Sequence, residues 1–110
     1  MDSKEVLKEY FGYDSFRAGQ EDIINAILEK KDVLAIMPTG AGKSLCYQVP
    51  AMMLSGITVV ISPLISLMQD QVKSLNDVGI NAAYVNSTLS ESEIDGTLNM
   101  VLNGIYKIIY

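Results

Sequence analysis

The sequence has 110 residues, 49% of them apolar, with eight basic and thirteen acidic side chains for a net charge of −5; that is enough for one modest domain. No apolar run approaches the roughly 20 residues a membrane-spanning helix needs, and the charged opening Met1-Asp2-Ser3-Lys4-Glu5 lacks the apolar core of a signal peptide, so a cytoplasmic protein with no membrane contact is expected. With Cys46 the only cysteine and no histidine, an intrachain disulfide, a cysteine/histidine metal site and triad hydrolysis are excluded.

In chain order, two helical stretches come first. Lys4–Tyr10 is short and closes at Gly12, and Ala18–Lys30 carries Ile23, Ile24, Ile27 and Leu28 on one face. Asp32–Met37 follows as a compact apolar run of the kind expected for a strand covered on both faces. Lys43–Leu54 reads as a helix that Pro50 kinks or ends. Thr58–Ile61 reads as a second buried strand. Ser62-Pro63 then reads as a helix start, with serine as cap and proline at the first helical position. The helix through Val78 places Leu64, Leu67, Met68, Val72 and Leu75 on one stripe for the core, and Gly79 stops it.

Asn81–Val85 is expected as a third strand. Ser90-Glu91-Ser92-Glu93 fits a capping box opening a helix to about Leu102, and Tyr106–Tyr110 begins a fourth strand. This alternation predicts an α/β fold of right-handed βαβ units on a parallel sheet. Residues 1–31 form a helical region, and 32–110 form the βα repeats.

The strongest chemical signal lies between the first apolar run and the helix after it. In Met37-Pro38-Thr39-Gly40-Ala41-Gly42-Lys43-Ser44, Gly40 and Gly42 let the backbone turn its amides toward phosphate oxygens. The positive end of the following helix adds to that field. Lys43 brings a full charge to the outer phosphates, and the Ser44 hydroxyl can ligate magnesium. Met37 stands where the general phosphate-loop pattern has glycine. Acidic net charge is awkward for gripping nucleic acid, and Lys30-Lys31 is the longest basic run. Any such grip must therefore use backbone amides and helix amino termini, or regions outside these residues.

Several segments together resemble the RecQ helicases. Phe11-Gly12-Tyr13-Asp14-Ser15-Phe16-Arg17-Ala18-Gly19-Gln20 looks like the motif preceding the phosphate loop in that family. Met37–Ser44, continued by Leu45-Cys46-Tyr47-Gln48, resembles its first helicase motif, including the unusual methionine. Ser62-Pro63-Leu64-Ile65-Ser66-Leu67-Met68-Gln69-Asp70-Gln71-Val72 looks like the next, and Asn86-Ser87-Thr88 resembles a short element after it.

The resemblance implies a phosphate-loop NTPase domain of RecA-like fold, of which residues 1–110 would be the amino-terminal part. It implies an ATP-dependent DNA helicase that couples hydrolysis, with magnesium, to 3'-to-5' translocation and duplex unwinding in recombination and repair. Lys43 is then the catalytic lysine. Tyr13 stacks on adenine, Arg17 and Gln20 contact the base, and Gln20 reads its edge. The residues Met37, Pro38, Thr39, Gly40, Ala41, Gly42, Lys43 and Ser44 hold the phosphates, and Ser44 the metal. Single-stranded and partly duplex DNA would be held near Ser62–Gln71 and Asn86–Thr88.

The family's Asp-Glu-x-His motif and second motor domain are not within these residues, so the 110-residue chain alone is expected to be inactive and prone to self-association. Two other readings stay open: a different phosphate-loop NTPase, such as a small-molecule kinase, and a nucleotide-binding module that does not hydrolyse.

Overall fold

The computed structural model describes residues 1–38 and 42–110. The chain divides into two compact units, Met1–Ser55 and Gly56–Tyr110.

The first unit is helical. Asp2 caps helix α1 (Ser3–Val6), its carboxylate accepting from the Glu5 amide at 2.8 Å. The helix widens into a five-residue π turn, Leu7–Phe11, that closes at Gly12. Helix α2 spans Gln20–Leu28 and α3 spans Leu45–Met53. Burial of Val6, Leu7, Ile24 and Val49, flanked by Tyr10, Phe11, Phe16, Leu28, Leu45, Met52 and Met53, makes the core. Apolar area removed from water is the main favourable term here, on the order of 1.5–3 kcal/mol for each large side chain fully covered. Pro50 does not end α3: the helix runs three residues beyond it, and the Pro50 carbonyl accepts from the Leu54 amide at 2.9 Å. Val49, Pro50 and Ala51 are all buried. That packing offsets the hydrogen bond a proline cannot donate.

The expected strand at Asp32–Met37 does not form. The segment has no ladder partner among the described residues, and Leu34 and Ile36 are 90% and 91% exposed. A helix satisfies its backbone internally, whereas a strand exists only beside a neighbour. The three strands that do pair all belong to the second unit.

In that unit β1 (Thr58–Val59), β2 (Ala82–Ala83) and β3 (Ile108–Ile109) form a parallel sheet in the order β1-β3-β2. Ile108 pairs with Thr58 on one side and Ala82 on the other. The strand latest in sequence is therefore central, and Ile108, Ile109 and Tyr110 are buried. β1 is an edge, so the expectation that Thr58–Ile61 is buried fails: Val59 and Ile61 are exposed. The opposite edge is closed by a side chain. Asn76 Nδ2 donates to the Ala82 carbonyl at 3.2 Å, and its Oδ1 accepts from the Ala82 amide at 3.0 Å. The carboxamide thus stands in for the peptide group of a further strand.

Helix α4 (Ile65–Asp77) begins later than its sequence signal. Ser62 does not cap it, and Pro63 lies outside it. The Ser62 hydroxyl instead accepts from the Leu64 amide at 3.2 Å, closing a local turn. A serine hydroxyl offered a nearer amide takes it in preference to capping. Met68, Val72 and Leu75 are buried as the stripe requires, while Leu64 and Leu67 are exposed in the first turn. Gly79 at φ +89° ends the helix, with the Ile80 amide donating back to the Leu75 carbonyl at 2.9 Å. Helix α5 (Glu91–Leu102) opens on the expected capping box: the Ser90 hydroxyl accepts from the Glu93 amide, and the Glu93 carboxylate from the Ser90 amide. Parallel strands joined through helices make the chain α/β, as the sequence predicts.

Candidate nucleotide site

The residues predicted for nucleotide binding lie in the first unit, at the amino-terminal ends of α2 and α3. Gln20 is the first residue of α2 and is 1% exposed. Its Oε1 accepts from the backbone amide of Arg17 at 2.8 Å, and its Nε2 donates to the carbonyl of Gly42 at 3.0 Å. One carboxamide therefore uses both of its functions, holding the turn before α2 and reaching 22 residues along the chain to the loop before α3.

Gly42 has φ +77°, and a Cβ placed there would run into Gln20 Nε2. Glycine is favoured twice at this position, by backbone conformation and because a Cβ would have to displace the Gln20 carboxamide. Lys43 follows, exposed, and Ser44 is half-buried at the start of α3. Their carbonyls accept from the amides of Cys46 at 3.1 Å, and of Tyr47 and Gln48 at 3.3 and 3.0 Å. The Lys43–Ser44 turn thus leads directly into the helix, whose amino-terminal end carries a partial positive charge toward the loop. Thr39, Gly40 and Ala41, predicted phosphate contacts, lie outside the described residues.

Of the remaining predicted positions, Pro38 and Arg17 are exposed, and Tyr13 is 53% exposed in the loop before α2. An open aromatic face there is available to a flat partner. Met37 is half-buried, its Sδ 3.8 Å from Cys46 Sγ, and the thiol also faces the Gly42 carbonyl at 4.0 Å. Burial pushes the Cys46 thiol above its ordinary value of 9.0, so it remains a thiol. Beside the loop, Ile23, Ile27, Val33, Leu34 and Met37 line a cavity of about 320 Å³ that Lys43 also borders.

Two features escape a sequence reading. The tie between Gln20 and Gly42 joins residues too far apart for any helical spacing to reveal. The packing of Cys46 on Met37 gives the methionine in place of glycine a structural partner. Among the described residues no group of three or more acidic or cysteine side chains is arranged to hold a metal ion.

Of the segments predicted to meet DNA, the first turn of α4 is exposed from Leu64 through Leu67. In the other, Asn86 Oδ1 accepts from both the amide and the hydroxyl of Thr88, folding Asn86–Thr88 into a compact turn, while Asn86 Nδ2 is buried without a partner among the described residues. No helix among the described residues is long and apolar enough to cross a membrane.

Comparison with known proteins bears out the resemblance. The chain is 53% identical over 109 residues to the ATP-dependent DNA helicase RecQ of Bacillus subtilis (strain 168), covering 98% of this chain and 18% of that protein. It is 51% identical over 105 residues to the protein of the same name from Haemophilus influenzae, covering 96% of this chain and 17% of that one. It is 46% identical over 108 residues to the ATP-dependent helicase SGS1 of Saccharomyces cerevisiae, covering 94% of this chain and 8% of that one. The chain therefore spans less than a fifth of the length of each of these relatives. The family described as DEAD/DEAH box helicase matches residues 17–110, a stretch that begins at Arg17 beside the Gln20 carboxamide and takes in the whole loop before α3. By that match the chain belongs to the DEAD/DEAH box helicase family.

Proposed function

We propose that this chain is the nucleotide-binding part of an ATP-dependent DNA helicase of RecQ type. The observation that carries the reading is the Gly42-Lys43-Ser44 turn at the amino terminus of α3, bound through Gln20 to the turn that bears Arg17. The names of the relatives, which describe ATP-dependent DNA helicases, support it.

Each residue has a physical task in this account. The loop from Met37 through Ser44 surrounds the phosphates with backbone amides, and Lys43, exposed, adds a mobile full charge at the outer phosphate. Tyr13 offers its open ring to adenine, and Arg17 and Gln20 flank the base. The Ser44 hydroxyl is an oxygen donor of the kind magnesium prefers, and it fits an ion that keeps most of its ligands from phosphate and water; when bound, that ion neutralises charge building on the phosphates. DNA is proposed to meet the exposed first turn of α4, where main-chain amides can donate to a phosphate without basic side chains. The Asn86–Thr88 turn is proposed as a second contact. Coupling to 3'-to-5' unwinding in recombination and repair is proposed for the whole protein on family grounds.

The 110-residue chain by itself is proposed to bind nucleotide without appreciable turnover, because no residue in it is assigned to orient water or to act as an arginine finger. The latter alone contributes about 10³–10⁵ in rate. Leu34 and Ile36, both exposed in a segment with no ladder partner among the described residues, are proposed to drive association of such chains. The test of the functional reading is DNA-stimulated ATP hydrolysis by the intact helicase carrying this segment. Lys43→Ala should abolish it while leaving the fold unchanged, and undiminished hydrolysis would refute the phosphate-loop assignment.

A further inference from the structure

We propose that the groove between β2 and α5 docks an extended segment of a partner protein in which a large apolar side chain is flanked by lysine or arginine. The site lies in the second unit and does not depend on the nucleotide reading. Val72 of α4, Ala82 and Tyr84 on and just after β2, and Leu89 line a cavity of about 410 Å³, and Glu93, Gly96, Thr97 and Met100 complete it. Those four stand three or four positions apart and so share one face of α5. The chain's own side chains leave this groove unfilled: α5 buries none of its residues, and Met100 stays 42% exposed. Gly96 keeps the space open. Every other described glycine has a positive φ, whereas Gly96 does not, and a Cβ there would meet nothing within 4 Å. Glycine inside a helix weakens it, and neither conformation nor crowding calls for this one.

The main chain beside the groove offers an open pair. The Ala83 carbonyl accepts from the Tyr110 amide, and the Val85 amide donates to the Tyr110 carbonyl, each at 2.9 Å. Alternate residues of a strand turn their main-chain groups to opposite sides, so Ala82 and Tyr84 face outward. Asn76 takes both groups of Ala82, but the amide and carbonyl of Tyr84 have no partner among the described residues. The edge is thus closed at Ala82 and open at Tyr84, which also lines the cavity. An extended peptide pairs with such groups through its own main chain and places alternate side chains in a neighbouring pocket. Charge selects the flanking residues. Glu91, Glu93 and Asp95 are exposed, and no lysine or arginine lies between Lys73 and Lys107. Hydrogen bonding to Ser90 keeps the Glu93 carboxyl below its ordinary value, so the groove carries a fixed negative charge. That charge repels nucleic-acid phosphates and attracts a cationic side chain.

The test measures fluorescence anisotropy of a labelled, capped peptide, Lys-Leu-Lys-Val-Lys, with the 110-residue chain and with the intact helicase carrying it. Both should bind it saturably, and the counterpart Glu-Leu-Glu-Val-Glu should not bind. Gly96→Leu fills the groove and should abolish binding, with a urea midpoint equal to or above the parent's because leucine favours a helix over glycine. Glu93→Gln, which still accepts from the Ser90 amide, should weaken binding roughly two- to fivefold. Should Gly96→Leu fail to fold, a fully N-methylated probe, which keeps every side chain but has no main-chain donor, decides instead. It should bind the parent roughly three- to tenfold more weakly, the range a single net hydrogen bond supplies. Undiminished binding by folded Gly96→Leu, equal binding of the N-methylated probe, or no binding of the lysine peptide by the parent would overturn the proposal. Binding by the 110-residue chain but not by the intact helicase would also overturn it, showing that the rest of the protein fills the groove.

Discussion

Gln20 and Gly42, 22 residues apart in sequence, are joined by a 3.0 Å hydrogen bond from side-chain amide to backbone carbonyl. The bond unites the two motifs a sequence reading treats separately, one assigned to the base and the other to the phosphates. It also makes a specific claim about Gly42: its φ of +77° strains any other residue, and a Cβ there would have to displace the tip of the Gln20 side chain.

Gly42→Ala should therefore destabilise the first unit by about 1–2 kcal/mol through the backbone conformation alone, with a further cost from displacing Gln20. In a Gln20→Ala background that second cost should disappear, so the two substitutions together cost less than their sum. Urea unfolding of the four proteins measures the coupling. Strict additivity would mean that the two residues are not in contact.

How much of this was legible in the sequence depends on the range of the interactions involved. The capping box at Ser90 and Glu93, and the stop at Gly79, are settled within one helical turn, and both stand where the pattern put them. The Ser62 cap failed at the same range because two local acceptor geometries competed and the nearer Leu64 amide won. The Asp32–Met37 strand failed for a different reason. Apolar composition reports a preference for burial but does not supply the neighbour a ladder needs, and Leu34 and Ile36 remain exposed. At the site, the Gly-Lys-Ser signature was plain, whereas the role of Gln20 toward Gly42 depends on packing between α2 and α3 that no spacing encodes.

The two outer edges of the sheet differ in a way that can be tested. Asn76 satisfies both the amide and the carbonyl of Ala82, while β1 has no such cover among the described residues. Asn76→Ala should cost about 1–3 kcal/mol, since it leaves those backbone groups without protein partners. It should also raise the tendency to associate by opening a second edge. Urea midpoints and sedimentation velocity measure the two effects, and a variant as stable and as monomeric as the parent would show the side chain to be incidental.

Helix α5 carries a pH signature. Hydrogen bonds from the backbone and then the side chain of Ser90 hold the Glu93 carboxyl below its ordinary value of 4.5. A carboxyl depressed in the folded state stabilises it when ionised. The contribution is thus present above that ordinary value and is lost as pH falls through the depressed one. Glu93→Gln keeps an oxygen acceptor for the Ser90 amide but cannot ionise. The stability gap between parent and variant should be largest near neutrality and close as the pH falls through the depressed value. Parallel pH profiles for the two proteins would contradict the assignment.

The central claim is that the turn from Gly42 to Ser44 receives the phosphates of a nucleotide, and direct titration of ATP with magnesium into the 110-residue chain and its Lys43→Ala variant tests it most simply. Lys43 is exposed, so its loss should leave unfolding within about 0.5 kcal/mol of the parent. A charge-assisted hydrogen bond to phosphate contributes about 1.5–3 kcal/mol, so affinity should fall roughly ten- to a hundredfold. Saturable binding by the parent, weakened to that degree in an equally stable variant, is the predicted result. Equal affinity in the two proteins would contradict the account.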